Sequence, residues 1–253
     1  MNKKNSVAIC VLSFDGASEL WQPFFDHFFQ AWDNCPYNVY LLTNYIEFGH
    51  SKVTSVPIGE DVDWSSNLRK GLSIISEERI LFIFDDFLLL KIDTSAAQKH
   101  ISQFVKNDWP YLTLYPNNHR VKNITPNISR ISEDGVYRCT LVYGLIKKNF
   151  LKNLLVDGES AWEFEINGGK RTNRTTLLSV DKKIFTHHHL LRKGVWMRPG
   201  YLRLKKMNYL LDTSRKVETF FEYLARETKE FIFRLYHRNM PRKLIEKLER
   251  RRN

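Results

Sequence analysis

Arg79-Ile80-Leu81-Phe82-Ile83-Phe84-Asp85-Asp86 is the stretch from which the rest of the chain can be read. Five consecutive apolar residues, closed by charge at each end and without polar alternation, mark a strand buried on both faces. Such strands belong to mostly parallel sheets covered by helices on each side, which makes the fold class α/β. The strand stops on two adjacent carboxylates, and open α/β sheets bind ligands beyond the carboxyl ends of their strands.

The flanking sequence repeats the pattern. Residues 7–14 read as a second buried strand that ends in Ser13, Asp15 and Gly16. Leu20, Phe24, Phe25, Phe28 and Trp32 then recur at helical spacing, Asn34-Cys35-Pro36 ends that helix, and residues 38–43 form a strand closing on Asn44. Strand, helix, strand opens a parallel sheet with a right-handed crossover. Further along, strands are expected near 52–57, 111–114 and 136–146. Helices are expected over 64–76, capped by Ser65 or Ser66, and over 96–105 and 149–155, with a polar loop at 117–132. From Val217 to Tyr236 a Phe, Leu and Ile stripe marks one face of a long helix that is interrupted at Pro241. The expected layout is an α/β body over 1–200 and a basic helical tail over 201–253. The stripe is expected to pack as core, and the 241–252 end is the better membrane candidate.

The charge supports that division. The 253 residues hold 39 Lys and Arg against 28 Asp and Glu, but 15 of the basic and only 7 of the acidic residues follow Tyr201. Most of the excess of +11 is thus in the tail, which points to an anionic membrane surface and away from a body-wide nucleic-acid face. A hydrophobic fraction of 43% excludes disorder as the main state. Cys10, Cys35 and Cys139 form no C-x-x-C pair, which argues against a disulfide framework or a structural zinc site and fits a reducing compartment. The apolar run at 7–12 is too short for a signal peptide or a membrane span, so the expected location is cytoplasmic and peripheral to the inner membrane.

Two carboxylates side by side repel unless a cation or a proton intervenes, so Asp85 and Asp86 suit a hard divalent ion, Mn2+ or Mg2+, bridging phosphate oxygens. A solvated pair at a strand end is the plainer reading. Glu159, Glu163 and Glu165 place three more carboxylates within seven residues. Ser160 with Glu163 makes a capping box, which gives Glu163 a structural role. Glu159 lies just outside that cap, exposed, and Glu165 one turn in. On a strand through His187-His188-His189 the middle imidazole opposes the other two. Lys182, Lys183, Arg192 and Lys193 nearby suit a departing diphosphate.

These segments together resemble bacterial GT-A glycosyltransferases of surface polysaccharide assembly, such as O-antigen or capsule. The resemblance rests on Leu12-Ser13-Phe14-Asp15, Asp63-Trp64-Ser65, Phe84-Asp85-Asp86-Phe87 and Glu159-Ser160-Ala161-Trp162-Glu163-Phe164-Glu165, and runs from about residue 7 to 200. It implies a Rossmann-like, mixed but mostly parallel sheet. It also implies a nucleotide-sugar donor, UDP-linked first, and a lipid-linked glycan acceptor. Asp86 would be the direct metal ligand, with Asp85 nearer the ribose or donor sugar and His188 completing the shell. Phe87 stands where a third carboxylate would help. Ser13, Asp15 and Asn44 would face the nucleoside, with Trp64 and Arg69 near base and diphosphate. Glu165 is favoured as the base of an inverting transfer, with Glu159 next. The competing readings are a nucleotidyltransferase or phosphotransferase on the same aspartates, and a non-enzymatic basic membrane- or nucleic-acid-binding protein.

Overall fold

The computed structural model describes residues 6–135, 137–172 and 174–237. Strand β1 (Val7–Leu12) is buried along its whole length because it has a covering layer on each side. Its odd residues Val7, Ile9 and Val11 meet Trp21, Phe24, Phe25 and Phe28 of α1 (Trp21–Ala31), and its even residues Ala8, Cys10 and Leu12 lie in a second core. Each of those phenylalanines, fully removed from water, contributes roughly 1.5–3 kcal/mol. A 3-10 turn, Asp15–Leu20, links β1 to α1.

The sequence then runs through β2 (Asn38–Thr43), β3 (Thr54–Pro57) and α2 (Trp64–Ile74), whose Leu68 and Leu72 line the second core. Asp63, and not Ser65 or Ser66, caps α2 by accepting from the Ser66 N–H at 2.8 Å. Next come β4 (Arg79–Phe84), β5 (Phe87–Ile92) and α3 (Thr94–Lys106), then β6 (Tyr111–Thr113). The polar stretch expected to be a loop is a hairpin of β7 (Arg120–Thr125) and β8 (Ile128–Ile131), turned at Asn127 with φ 72°. Only β9 (Gly144–Lys147) forms within the strand expected over 136–146, since Tyr137 and Tyr143 take positive φ and break the extended run. Helices α4 (Lys148–Leu154) and α5 (Ala161–Arg171) follow, then β10 (Leu178–Val180) and β11 (Phe185–His189).

The central sheet has nine strands in the order β3-β2-β1-β4-β9-β6-β10-β8-β7, and β11 pairs with β5 apart from it. Following the pairings across, seven strands point one way and only β9 and β8 run against them. The sheet is therefore mixed and mostly parallel. This places the carboxyl ends of β1, β2 and β4 on one edge, together with the start of antiparallel β9. Gly144 lies at that start, where a Cβ would meet Thr140 O at 2.6 Å. Gly144→Ala is expected to cost about 1–3 kcal/mol of stability, read as a lowered urea midpoint. An unchanged midpoint would show that the turn relaxes freely.

The chain divides into two compact units, residues 1–188 and 189–253. In the second unit, β12 (Leu191–Arg192) and β13 (Val195–Trp196) form a hairpin around Lys193 and Gly194, both at positive φ as a tight two-residue turn requires. Then come α6 (Arg198–Lys206), which the sequence reading did not separate, and α7 (Phe220–His237). The 241–252 segment lies outside the described residues. No described helix is long and apolar enough to cross a membrane.

Candidate active site

Asp85 and Asp86 form the two-residue link between β4 and β5, at the edge where β1 and β2 also end. The apolar run resumes at once in β5, so the chain buries both flanks of the pair and holds its carboxyls against the protein. Asp85 is buried and accepts from Ser13 Oγ at 2.5 Å; Trp21 Nε1 in turn donates to Ser13 Oγ at 2.6 Å. Burial pushes both aspartates above the ordinary carboxylate range, and the Asp85 charge pushes Asp86 further. Two hard oxygen donors whose ionised forms repel fit a divalent cation, which relieves the repulsion that the fold imposes.

The sign of this linkage can be checked by stability. A carboxyl with a raised folded pKa keeps its proton where the unfolded chain has lost it, so folding stability falls as pH rises from about 4 through about 8. Asp85→Asn removes that penalty and retains an acceptor for Ser13. It is expected to be more stable than the parent by on the order of 1–3 kcal/mol at pH 8, with the difference vanishing near pH 4. An equal or lower melting temperature at pH 8 would contradict the burial argument.

Asp15 and Asn44 hold the neighbouring loop in shape. The Asn44 N–H donates to Asp15 Oδ1 at 2.8 Å, the Asp15 N–H to Asn44 Oδ1 at 3.0 Å, and the N–H groups of Tyr45 and Ile46 reach Asp15 Oδ2 at 2.9 and 3.2 Å. Asn44 Nδ2 also donates to Gly59 O at 3.2 Å. The ends of β1 and β2 are thereby clasped, and these side chains shape the edge mainly through the backbone that they fix.

The three glutamates have separate environments. Glu163 completes the capping box with Ser160, which holds its carboxyl below the usual range. Glu159 was expected to be exposed, but its side chain is only 13% exposed because Arg171 grips it at 2.6 and 2.9 Å and Asn167 donates at 3.1 Å. Arg171 holds the Glu159 pKa down. Glu165 differs from both. It accepts from Thr140 Oγ1 at 2.5 Å, and burial raises its pKa. Thr140 precedes β9 and exchanges hydrogen bonds with Tyr111 Oη, so Glu165 is held beside Tyr111 of β6 and Cys139. Neither Thr140 nor Trp21 carried a signal in the sequence: each acts through a partner 25 or 8 residues away.

On β11, alternation turns His187 and His188 to opposite sides. His187 stacks on Phe87 with centroids 4.2 Å apart and its Nδ1 shares a 2.8 Å hydrogen bond with Tyr143 Oη. Burial, and then the charges of Tyr115 and Asp86, raise the Tyr143 pKa. His187 thus lies against Phe87 and Tyr143, which adjoin Asp86 in sequence and in charge respectively. Among the described residues, no three His, Cys, Asp or Glu side chains form a ready metal shell. The remaining candidates have contacts of their own. Trp64 packs on Phe164 at 5.4 Å, and Arg69 binds the carbonyls of Lys152 and Leu155 and the Asp157 carboxylate. Lys193 sits in the hairpin turn of the second unit.

The same architecture is found in crystal structures of S. aureus TarS. Residues 1–349 in complex with UDP-GlcNAc superimpose with a TM-score of 0.51 at 10% identity, over 75% of this chain and 59% of that one. A longer TarS structure superimposes at 0.50 and 8% identity, over 83% of this chain and 41% of that one. The chain thus spans less than two thirds of either, and at this identity the likeness is one of fold. No protein-family model matches the sequence, and no curated protein matches it. The α/β fold of GT-A type expected from the sequence, with its mixed and mostly parallel sheet, is the one observed.

Proposed function

We propose that this chain is a glycosyltransferase that moves a sugar from a nucleoside-diphosphate donor, UDP-linked first, to a hydroxyl of a lipid-linked glycan acceptor in surface polysaccharide assembly. The observation that carries the reading is the Asp85–Asp86 pair at the carboxyl edge of the sheet, Asp85 buried and bonded to Ser13 and Asp86 half-buried beside it. The UDP-GlcNAc complex of a protein with the same fold supports the donor class.

In this reading Asp86, with Asp85, holds a divalent cation, Mn2+ or Mg2+, whose chemistry is to neutralise the diphosphate. The clasped loop of Asp15 and Asn44 borders the nucleoside. Glu165, kept close to Thr140 and raised in pKa by burial, accepts the proton of the acceptor hydroxyl as its oxygen bonds to the anomeric carbon. The bond from that carbon to the diphosphate breaks and the electron pair leaves with the nucleotide. Work at an anionic membrane surface would bring this edge to a lipid-linked acceptor. The test is a panel of sugar nucleotides assayed for diphosphate release with and without chelator. Release from one or a few donors, suppressed by chelator, supports the reading; release from none rejects it.

A further inference from the structure

The second unit carries the whole charge excess of the protein. Residues 1–188 hold 21 basic and 21 acidic side chains, and residues 189–253 hold 18 and 7, which accounts for all of the +11. Within this unit α7 is packed the opposite way to an ordinary surface helix. Its inner face is the polar one: Tyr223, Arg226, Glu227 and Glu230 are half-buried at a spacing of three and four. Arg226 clamps the buried Glu218 at 2.7 Å and also contacts Glu227 at 2.7 Å, and Glu230 pairs with Arg192 of the hairpin at 3.6 Å.

The outer face is the apolar one. Phe220, Phe221, Leu224, Phe231 and Ile232 fall on one side of the helix and are 46 to 79% exposed. A surface helix normally turns its apolar stripe toward the core, and contiguous exposed stripes mark surfaces that something covers. The stripe expected to be core from the sequence is thus on the outside, because Glu218 and Glu230 draw the charged side inward. From Phe220 to Ile232 the stripe is about 18 Å long.

We propose that α7 lies in the plane of an anionic lipid surface with this stripe inserted among the acyl chains. Charge selects lipid over a second copy of the chain, since two units of this sign repel each other whereas an anionic bilayer attracts them. The helix lies on the membrane and does not span it, as an amphipathic strip with Glu222 and Lys229 among its exposed residues requires. This deepens the membrane part of the proposed function and is independent of the transferase chemistry.

The test is co-sedimentation of the full chain with phosphatidylglycerol/phosphatidylcholine vesicles and with phosphatidylcholine alone. The parent should bind the anionic vesicles at least tenfold better, and the double variant Phe221→Glu/Phe231→Glu should lose at least tenfold of that binding. Its circular dichroism and its affinity for UDP should not change. Phe221→Trp, which preserves the stripe, should blue-shift its added fluorescence on anionic vesicles. Undiminished vesicle binding by the double variant, or no blue shift in the Phe221→Trp variant, overturns the proposal. So does a parent dimer in sedimentation velocity that the double variant abolishes. Loss of UDP binding in the parent would instead count against the transferase reading and leave this one standing.

Discussion

Asp86→Ala is expected to lower kcat/KM for the donor by about 10³-fold or more, equivalent to roughly 4 kcal/mol of transition-state stabilisation. The expected loss is electrostatic. In the proposed transfer, departure of the nucleoside diphosphate develops charge that would be balanced at the carboxyl edge of the sheet by a cation held on the Asp85–Asp86 pair. Deleting one carboxylate removes half of that pair while leaving Asp85 in its bond to Ser13. Because burial and mutual repulsion raise both pKa values, the variant should remain folded and gain stability near neutral pH. Inactive but stabilised is the combination to look for. A variant that retains activity within tenfold would show that the pair plays no part in chemistry.

Glu165→Gln is expected to lower kcat by about 10²–10⁴-fold with the donor KM little changed, the size usual for a lost general base. The raised pKa of Glu165 is expected to add to the acid limb of the parent's pH–rate profile, with activity rising as the carboxyl loses its proton; glutamine should remove that contribution and leave the part due to the aspartates. Glu159→Gln is the control from the same segment. Its carboxyl is held low by Arg171, so its contribution to stability is present above the unfolded glutamate pKa and disappears as pH falls through the lower folded value. That variant should lose stability near neutral pH and keep the shape of the pH profile. If Glu165→Gln stays within threefold of the parent, the base is elsewhere.

Much of the fold could be read from single elements. The central strand 79–84 and the second strand 38–43 form at the expected residues because a continuous apolar run bounded by charge or turn residues leaves few alternatives. The strand β5 was missed because Phe87-Leu88-Leu89 follows the aspartates without a turn signal such as Gly, Asn or Pro. The β7–β8 hairpin escaped for the opposite reason: β7 is an edge strand, solvated on both faces, and its composition is that of a loop. The orientation of α7 was misread since periodicity identifies a stripe but not which way it faces; buried Glu218 and the Arg192–Glu230 pair decide that.

At the candidate site the aspartates were legible because adjacent carboxylates at a strand end are chemically unusual. Their supports were not. Trp21, Ser13 and Thr140 act through contacts that only the folded sheet creates, and the difference between Glu159 and Glu165 depends on Arg171 reaching one and Thr140 the other.

Calorimetric titration of UDP into the intact chain, with Mn2+ and then with chelator, tests the central claim most directly when repeated on the double variant Asp85→Asn/Asp86→Asn. The account predicts binding that depends on the metal and weakens at least tenfold in the variant. Binding of UDP that is equally tight in the variant and indifferent to metal would contradict it.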